Sequence, residues 1–463
     1  RRRGRGGRRD SAGAGASDGS GARMTSLLPS PSAYESGYAG PPRFQPLGTP
    51  ARSGMPFFAP PAQVMVEPGP LLLAHLDDGP SLAAHRARFG GVGRADLGSA
   101  EQLAQWAEAV GLAGRGGAGF PFHVKLRAAA AGRRPVVVVN LAEGEPLSGK
   151  DTALARCVPH RVLDGAALTA ALLGAREVHA VVPRERPLVE ESLSLALAER
   201  RAAGERLDWR LTVVGPGFVS GQARAVIEAL SGRPGSPVTA WQPEAVSGLR
   251  GRPTLLSNAE TWAQVWALVE HGPAGYSTLG TAGEPGTTLL SVPGFDEGTV
   301  GVVEVELGTS WTASPGVADT DVPVLLGGFH GTWTSAHRLA GMPVSRVALR
   351  AAGLALGAGV AWPLPEGVCP VDVTARITAY LAGESAQRCG PCRNGLPALA
   401  GEVAALARGA GVNYRRIEEL AGLVERRGAC AHPDGTVRLV RSLVAAFGDE
   451  VAAHVAGRCE VAR

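Results

Sequence analysis

Helical and strand-like segments alternate between residues 100 and 214, and this alternation limits the possible folds more than any other feature of the chain. Apolar residues spaced three and four apart predict helices in "AEQLAQWAEAV", "PHRVLDGAALTAALL" and "PLVEESLSLALAERR". Short apolar runs predict buried strands in "PVVVV", "EVHAVVP" and "WRLTVV". Strands that alternate with helices of this length form a parallel sheet between helical layers. We therefore expect an α/β domain over residues 61–284.

The character of the sequence changes twice after this region. From residue 285 to 365, short segments such as "GTTLLSVPGF" and "GTVGVVEVELG" lie between glycine turns and predict a small β-rich domain. From residue 366 to 463, helical spacing returns in "VTARITAYLAG" and "YRRIEELAGLVERR" and predicts a helical bundle. Residues 1–60 are rich in Gly, Arg, Ser and Pro and lack an apolar period, so we expect a disordered N-terminal arm there.

Charge, hydropathy and cysteine content exclude several classes of protein. The net charge is +4, and the arginines of "RRRGRGGRR" at the start contribute much of it. The rest of the chain has no basic stripe of the kind that binds nucleic acid. No run of eighteen apolar residues predicts a membrane span. Six cysteines in 463 residues do not make a disulfide scaffold, which favours a reduced, cytoplasmic location.

The first residues of the chain support two interpretations. Met24 follows the basic run, as expected if residues 1–23 lie upstream of the native start. A twin-arginine export signal is the alternative, and the chain lacks the apolar segment that follows the arginines in such signals.

A glycine-dense loop follows the first predicted helix. Five of the nine residues from Gly111 to Gly119 are glycine, and Lys125 lies shortly after them. Glycine lets backbone N–H groups approach a phosphate or a flavin closely. The chain holds 64 glycines, so a flexible surface turn is the structural alternative. Lys125 and Lys150 are the two lysines among 46 basic residues, and their placement beside this loop and the next one favours a binding site.

A second polar loop starts where the "PVVVV" strand ends. It reads "NLAEGEPLSGKD" and begins with Asn140, one of four asparagines in the chain, followed by Glu143 and Glu145. Ligands of α/β sheets bind at the carboxyl ends of the strands. The loop is therefore a candidate binding site, with a solvated turn as the structural alternative.

The cysteine pattern near the C-terminus supports three interpretations. Cys389 and Cys392 form a C-x2-C pair in "GESAQRCGPCRNG", and Cys430 follows in "GACAHP". These three thiolates suit an iron–sulfur cluster, and with a histidine they also suit zinc. A thioredoxin-like disulfide needs a βα turn, whereas helical patterns flank this pair. We favour the cluster. Cys157 has no partner in the sequence and is expected to be a buried apolar residue.

Together these segments resemble the flavin-bearing 51-kDa subunit of respiratory complex I and the diaphorase subunits of NAD-linked hydrogenases and formate dehydrogenases. The resemblance rests on "GRGGAGFP" followed by Lys125, on "N-x-x-E-G-E-P…K-D" and on C-x2-C-R-x-G, in this order from about residue 100 to the C-terminus. It implies an FMN-binding Rossmann-like α/β domain over 61–284, a ubiquitin-like β-grasp domain over 285–365, and a helical bundle holding a [4Fe–4S] cluster over 366–463.

The resemblance also assigns roles to individual residues. The family's flavin contacts match Gly114, Arg115, Gly116, Gly117, Lys125, Asn140 and Glu143. Phe120 matches an aromatic on which the nicotinamide stacks, and Glu145 matches a residue of the nucleotide pocket. "GFVSGQARAVIEALSG" resembles a family segment whose aromatic and glycine fall at Phe218 and Gly221. "PTLLSNAETWA" resembles one whose second asparagine falls at Asn258. The cluster ligands match Cys389, Cys392 and Cys430.

The sequence departs from the family at five positions. Ala142 replaces an aspartate, Gln222 and Ala223 replace a glutamate pair, Ser257 replaces an asparagine, and Ala386 replaces the first cluster cysteine. The lost carboxylates predict weak NADH binding, because each would accept a charged hydrogen bond. The fourth corner of the cluster is left to Cys369, Cys459, His432, water or no ligand, and the last of these gives a [3Fe–4S] form.

We therefore predict an electron-transfer flavoprotein that is a divergent relative of the respiratory subunit. It would pass electrons from NADH or another donor through FMN to an iron–sulfur cluster, and on to a small iron–sulfur or ferredoxin-like subunit. Two alternatives are an enzyme that takes its electrons from a ferredoxin and a non-catalytic scaffold that has lost donor binding. We expect no nucleic-acid partner, and a cytoplasmic protein, alone or at the periphery of a membrane complex.

Overall fold

A computed structural model of the chain describes residues 61–91, 97–294, 298–313, 317, 321–410 and 414–461. The predicted N-terminal arm, residues 1–60, lies outside the described residues. The strands are, in chain order, β1 (Gln63–Val66), β2 (Val136–Asn140), β3 (Glu177–Pro183), β4 (Asp208–Val214), β5 (Thr254–Asn258), β6 (Thr287–Pro293), β7 (Thr299–Glu306), β8 (Pro323–Leu326), β9 (Thr332–Ser335) and β10 (Ala361–Pro363).

Fifteen α-helices accompany these strands in the described part of the chain. They are α1 (Leu82–Phe89), α2 (Ala100–Ala109), α3 (Phe122–Ala130), α4 (Lys150–Cys157), α5 (Pro159–Leu173), α6 (Pro187–Ala202), α7 (Ala223–Leu230), α8 (Ala259–Tyr276), α9 (Ala336–Ala340), α10 (Arg346–Ala351), α11 (Pro370–Gly383), α12 (Leu396–Ala407), α13 (Tyr414–Val424), α14 (His432–Ala446) and α15 (Gly448–Val455). Within the ranges given above, no helix is both long enough and apolar enough to cross a membrane.

A four-stranded parallel sheet forms the centre of the first half of the chain. Its strand order is β4-β3-β2-β5, and all residues of β2, β3 and β5 are buried. Burial on both faces is typical of parallel sheets, whose connecting helices cover them on each side. The predicted α/β organisation is confirmed, and the predicted segments correspond to α2, α5, α6, β2, β3 and β4.

The close approach of α5 and α8 depends on one glycine. A Cβ atom at Gly165 in α5 would lie 2.0 Å from the carbonyl oxygen of Trp262 in α8. The Trp262 indole is fully buried and donates its N–H to the carbonyls of Val138 and Ser257, at 3.1 and 3.0 Å. Helix α8 is therefore fixed against both α5 and the neighbouring strands β2 and β5.

Two three-stranded sheets follow the parallel sheet. One has the order β1-β7-β6 and the other the order β10-β8-β9. A parallel bridge between Ser291 of β6 and Val360, just before β10, links the two sheets. Strand β1 pairs in parallel with β7 and so belongs to this region, although its sequence position precedes the parallel sheet.

The C-terminal region is helical, as its apolar spacing predicts. Helices α11, α12, α13, α14 and α15 surround a core that includes Leu381, Leu399, Leu420 and Leu443. A single π-helical turn, Pro391–Gly395, precedes α12 and contains the buried Cys392. Helix α12 thus follows directly on this wider turn.

We expect Gly165→Ala to destabilise the protein by about 1–3 kcal/mol, because the added methyl group must push α5 away from α8. The matched control is Gly401→Ala in α12, where a Cβ meets no atom within 4 Å. That substitution should stabilise the helix by about 0.5–1 kcal/mol. Urea unfolding midpoints test the pair, and equal effects at the two sites would contradict the packing described above.

Candidate functional site

The candidate site lies at the carboxyl ends of β2 and β5. Asn140 ends β2 and Asn258 ends β5, and the two residues are paired in register. The chain leaves β2 toward β3 on one side, whereas β5 pairs on the other side of β2. In α/β sheets such a change of direction opens a crevice in which ligands bind. The two asparagines therefore flank the expected ligand crevice.

The glycine loop lies beside this crevice. The N–H of Arg115 donates to the Thr261 hydroxyl at 2.9 Å, and Gly116 faces the side chain of Asn258. The loop is closed by a hydrogen bond from the Gly114 N–H to the Phe120 carbonyl, at 2.8 Å. Gly117 has a φ of +95°, which favours glycine.

The outer edge of the glycine loop presents unpaired donors. Gly116 and Gly117 are exposed, and their N–H groups have no acceptor among the described residues. The Arg115 side chain, by contrast, is buried, donates from Nη2 to the Thr287 carbonyl at 3.0 Å and has its Nε 3.9 Å from Glu260 Oε1. Unpaired backbone N–H groups in a glycine loop suit the phosphate of a flavin nucleotide.

A buried ion cluster supports the loop from below. Lys150 Nζ lies 2.6 Å from Glu260 Oε2 and donates to the carbonyl of Arg115 at 2.8 Å. Burial would lower the pKa of Lys150, but the charges of Glu260 and Asp151 raise it above its ordinary value. Burial would raise the pKa of Glu260, but the charges of Lys150 and Arg115 hold it below the ordinary value. Both groups are therefore charged at neutral pH.

Asn140 and Glu143 contact neighbouring loops. The Asn140 amide donates to the carbonyl of Gly221 at 2.8 Å. Glu143 is paired with Arg186 at 2.9 Å and accepts from Ser148 at 2.5 Å. A Cβ at Gly221 would lie 2.0 Å from the carbonyl oxygen of Ala142, so this contact requires glycine. These predicted flavin residues therefore hold three loops together at the crevice.

Glu145 is buried in this part of the site. Burial raises its pKa to about 8, against hydrogen bonds from the N–H groups of Phe329 and Leu147. A carboxyl with this pKa is mostly protonated at pH 7. Glu145 thus acts as a neutral polar group between the parallel sheet and the β8–β9 turn.

Phe120 and Lys125 lie at the open side of the crevice. The Phe120 side chain is 46% exposed, and Lys125 Nζ lies 5.9 Å from its ring centre. Lys125 is also paired with Glu244 at 3.4 Å. An exposed aromatic ring beside the glycine loop can stack on a planar ligand.

Arg346 is a site residue that the sequence analysis missed. It begins α10, and its Nη1 lies 3.9 Å from the Cβ position of Gly119. Burial, and then the charge of Arg115, lower its pKa to about 9. Its Nε is buried without a partner among the described residues. Arginine is common in this chain, so no sequence signal distinguishes Arg346 from the others.

Phe218 connects the crevice with the helical region. Its ring lies 4.5 Å from that of His330 and 5.6 Å from that of His432. The N–H of Phe218 donates to Glu384 at 3.0 Å, just before the cysteine loop. Phe218, the aromatic residue that the family resemblance assigns to the nucleotide pocket, therefore packs between the β2–β5 crevice and the loop that carries Cys389 and Cys392.

The three predicted cluster cysteines lie near one another at the end of this connection. Burial would raise the pKa of Cys389, but hydrogen bonds from the Ala429 and Cys392 N–H groups lower it below the ordinary value. Burial and hydrogen bonding to Cys389 raise the pKa of Cys392 to about 12. Burial also raises the pKa of Cys430, against hydrogen bonds from the His432 N–H and the Gln222 side chain. Donors already directed at these sulfurs fit a cluster, whose thiolates carry negative charge.

The candidates for the fourth cluster ligand have other contacts in the structure. His432 engages both ring nitrogens, with His330 at 3.0 Å and the Leu381 carbonyl at 2.8 Å. Cys369 and Cys459 belong to a separate group of side chains with Glu450 and His454. Ala386 adjoins Gln387, whose N–H donates to Cys392. Cys157 was predicted to be buried; it packs against the core around the parallel sheet but is only partly buried.

Comparisons with known proteins agree with this geometry. The family described as "Nuo51 FMN-binding domain" matches residues 107–267, and the "NADH-ubiquinone oxidoreductase-F iron-sulfur binding region" matches residues 372–454. The F subunit of the NADH-quinone oxidoreductase of Mycobacterium tuberculosis is 30% identical, over 75% of this chain and 83% of that protein. The corresponding protein of Streptomyces coelicolor is 29% identical, over 84% of this chain and 92% of that protein.

A solved structure supports the same relationship. The NAD+-reducing [NiFe]-hydrogenase in its H2-reduced state aligns with a TM-score of 0.72 at 26% identity, over 84% of this chain and 67% of that chain. The glycine loop and strands β2 and β5 fall inside the FMN-binding match, and the three cysteines fall inside the iron–sulfur match. The chain therefore belongs to the family of the F subunit of NADH-quinone oxidoreductase, the flavin-bearing 51-kDa subunit of respiratory complex I.

Proposed function

We infer that the chain is an oxidoreductase that passes electrons from NADH or another donor through FMN to an iron–sulfur cluster and on to a partner protein. The observation that carries this conclusion is the short connection between the two candidate sites. Asn140 of the crevice binds the Gly221 carbonyl, and the next residue, Gln222, donates to the sulfur of Cys430. FMN supplies the exchange of a hydride for single electrons, and the cluster supplies one-electron transfer.

We propose that the glycine loop holds the FMN phosphate. The unpaired N–H groups of Gly116 and Gly117 and the guanidinium of Arg346 support this assignment, and Arg115 contributes the backbone of the same loop. Lys150 acts from below, because it binds the carbonyl of Arg115 and so turns the loop's N–H groups outward. Phe120, at the open side of the crevice, would stack on the nicotinamide. Gly114, Lys125, Asn140, Glu143 and Asn258 complete the crevice.

On the nicotinamide side, Glu145, Phe218 and Gly221 are the candidate residues. Gln222 and Ala223 replace two carboxylates there, and each lost charged hydrogen bond is worth about 1.5–3 kcal/mol. Two such losses lower affinity by roughly two to four decades. NADH is therefore expected to be a poor donor, which keeps a ferredoxin as a second candidate donor. Gln222 gains the ability to donate to Cys430, which a glutamate lacks.

Cys389, Cys392 and Cys430 are the proposed cluster ligands. The hydrogen bonds from backbone N–H groups to Cys389 and Cys392 support the assignment, because such donors stabilise thiolates. The missing fourth thiolate at Ala386 leaves one iron with a weak ligand or none. We propose that the site interconverts between [3Fe–4S] and [4Fe–4S] forms and is oxygen-sensitive.

We propose the domain boundaries 61–284, 285–365 and 366–463, with a β-grasp fold in the middle region. The strand order supports this assignment. The bridge at Ser291 joins the two small sheets into the order β1-β7-β6-β10-β8-β9, with β6 and β10 parallel at the join. Strand β1 is added at the edge from outside residues 285–365, and the other five strands have the order β7-β6-β10-β8-β9. This resembles the order of strands in a ubiquitin-like sheet, although here α9 and α10 lie between β9 and β10.

The proposed partner is an iron–sulfur or ferredoxin-like subunit that receives electrons from the cluster. The M. tuberculosis and S. coelicolor relatives are named as subunits of a quinone oxidoreductase, which supports assembly with further subunits. We place the protein in the cytoplasm, alone or at the periphery of a membrane complex.

Replacing Gly117 with alanine should weaken FMN binding about tenfold or more, because a Cβ at φ +95° strains the loop and turns its N–H groups away from the phosphate. The matched control is Gly174→Ala, at the end of α5, where φ is +66° and no atom lies within 4 Å of the Cβ position. Fluorescence titration of the flavin-free proteins with FMN gives both affinities. Wild-type protein that binds no FMN at all would contradict the assignment.

Ala223→Glu should lower the KM for NADH about tenfold or more, because it restores one acceptor on the nicotinamide side and leaves Gln222 bonded to Cys430. Ala223→Gln is the control, since it adds the same bulk without the charge. Steady-state NADH oxidation with an artificial acceptor measures the effect. If the two variants have the same KM and kcat, the missing carboxylates do not explain donor use.

A fourth thiolate introduced by Ala386→Cys should stabilise the [4Fe–4S] form, whereas Ala386→Ser should leave the cluster labile. EPR of oxidised and dithionite-reduced protein after anaerobic reconstitution distinguishes the forms. The wild-type protein should show the [3Fe–4S] signal after brief exposure to air. Stoichiometric zinc bound to Cys389, Cys392 and Cys430 with no iron signal would move this site to a structural role.

A further inference from the structure

A second cluster of potential metal ligands lies outside the flavin and cysteine sites. It consists of Cys369, Glu450, His454 and Cys459, whose ligand atoms all lie within 4.8 Å of one another. Cys369, Glu450 and His454 are buried, and Cys459 is half-buried. Neither the flavin crevice nor the proposed iron–sulfur cluster uses these residues. We propose that they bind a structural Zn²⁺ ion.

The distances fit a tetrahedral zinc site. Cys369 Sγ lies 3.3 Å from His454 Nε2 and 3.5 Å from Glu450 Oε1. Glu450 Oε1 lies 3.1 Å from Cys459 Sγ and 3.2 Å from His454 Nε2. Zinc bonds of about 2.3 Å to sulfur and about 2.0–2.1 Å to nitrogen or oxygen place tetrahedral ligands roughly 3.3–3.8 Å apart. Four of the six ligand pairs are therefore spaced nearly as a bound ion would require, and the other two lie within 4.8 Å.

The surrounding contacts orient two of the ligands. His454 Nδ1 lies 3.1 Å from the carbonyl of Ala407, which can only accept a hydrogen bond. The proton is therefore on Nδ1, and Nε2 directs its lone pair toward the other three ligands. The N–H of Glu460 donates to both carboxylate oxygens of Glu450, at 3.3 and 3.2 Å. Partners of this kind are typical of metal ligands.

The chemistry of the group selects the metal. Two thiolates exclude Mg²⁺ and Ca²⁺, which prefer oxygen ligands, and a closed set of two sulfurs, one nitrogen and one oxygen suits zinc. Glu450 has no lysine or arginine partner in the described part of the chain, so a bound cation would balance the charge of its carboxylate. With four protein ligands, no position remains open for substrate.

The position of the group in the fold indicates its role. Cys369 directly precedes α11, the first helix of the C-terminal bundle, and His454 lies in α15, the last one. Cys369 and His454 are 85 residues apart in sequence. A zinc ion would therefore join the two ends of the bundle that carries the proposed iron–sulfur ligands, and would hold it closed when the cluster is lost.

The test on unaltered protein is metal analysis with zinc X-ray absorption of the full-length chain, purified anaerobically from zinc-supplemented culture. We expect one zinc per chain, with two sulfur ligands at about 2.3 Å and two nitrogen or oxygen ligands at about 2.0–2.1 Å. Protein that takes up no zinc, or that holds a Cys369–Cys459 disulfide, would overturn the proposal. Three sulfur ligands would also overturn it, because they would place the ion at Cys389, Cys392 and Cys430.

Variants separate this site from the iron–sulfur site. Cys459→Ala and Glu450→Gln should each weaken zinc binding about tenfold or more without changing the iron content. The matched control Cys157→Ala should keep both metals, and Cys389→Ala should lose iron and keep zinc. Glu450→Gln keeps the side-chain volume, so it remains informative if Cys459→Ala does not fold. Unchanged zinc affinity in both variants, or loss of iron together with zinc, would show that these residues are not a separate zinc site.

Discussion

The buried ion pair between Lys150 and Glu260 is the interaction on which the flavin site depends. The two side chains are 4% and 2% exposed, and they join the first turn of α4 to the first turn of α8. Lys150 also binds the glycine loop through the Arg115 carbonyl, and Glu260 accepts the N–H of Leu289 in β6 at 3.1 Å. Removing one partner of such a pair costs about 3–5 kcal/mol, because the other charge stays buried. One lysine thereby positions the loop, the crevice and the neighbouring sheet together.

The segment from Phe218 to Gln222 couples the two halves of the site. On one side Gly221 fits against Ala142, and on the other Gln222 reaches Cys430. Phe218 packs among His330 and His432 between them. A substitution in this segment should therefore affect flavin affinity and cluster stability at once. The replacement of the family's glutamate by Gln222 fits this arrangement, since it exchanges a nucleotide acceptor for a donor to a cluster sulfur.

Sequence reasoning located the crevice because its signals are local. Asn140 ends an apolar strand, and the glycine loop can be recognised from its glycine content alone, without knowledge of its contacts. Glu260 was missed because its partner Lys150 lies 110 residues away, and Arg346 because it reaches the loop from another sheet region. Any cysteine in the sequence is a candidate cluster ligand, and Cys369 and Cys459 were candidates for that reason alone. That they lie beside His454 depends on tertiary packing, which the sequence does not reveal. Strand β1 was likewise not predictable, because its pairing with β7 is long-range.

We propose that this chain holds FMN at the β2–β5 crevice and an iron–sulfur cluster on the three cysteines at the same time. Cofactor analysis of the anaerobically purified full-length protein would show this, with flavin, iron and sulfide measured in one sample. We expect one FMN per chain together with the iron and sulfide of a single cluster, all of which stay with the protein on gel filtration. A protein that retains no flavin after reconstitution with excess FMN, or that holds flavin but no iron, would contradict it.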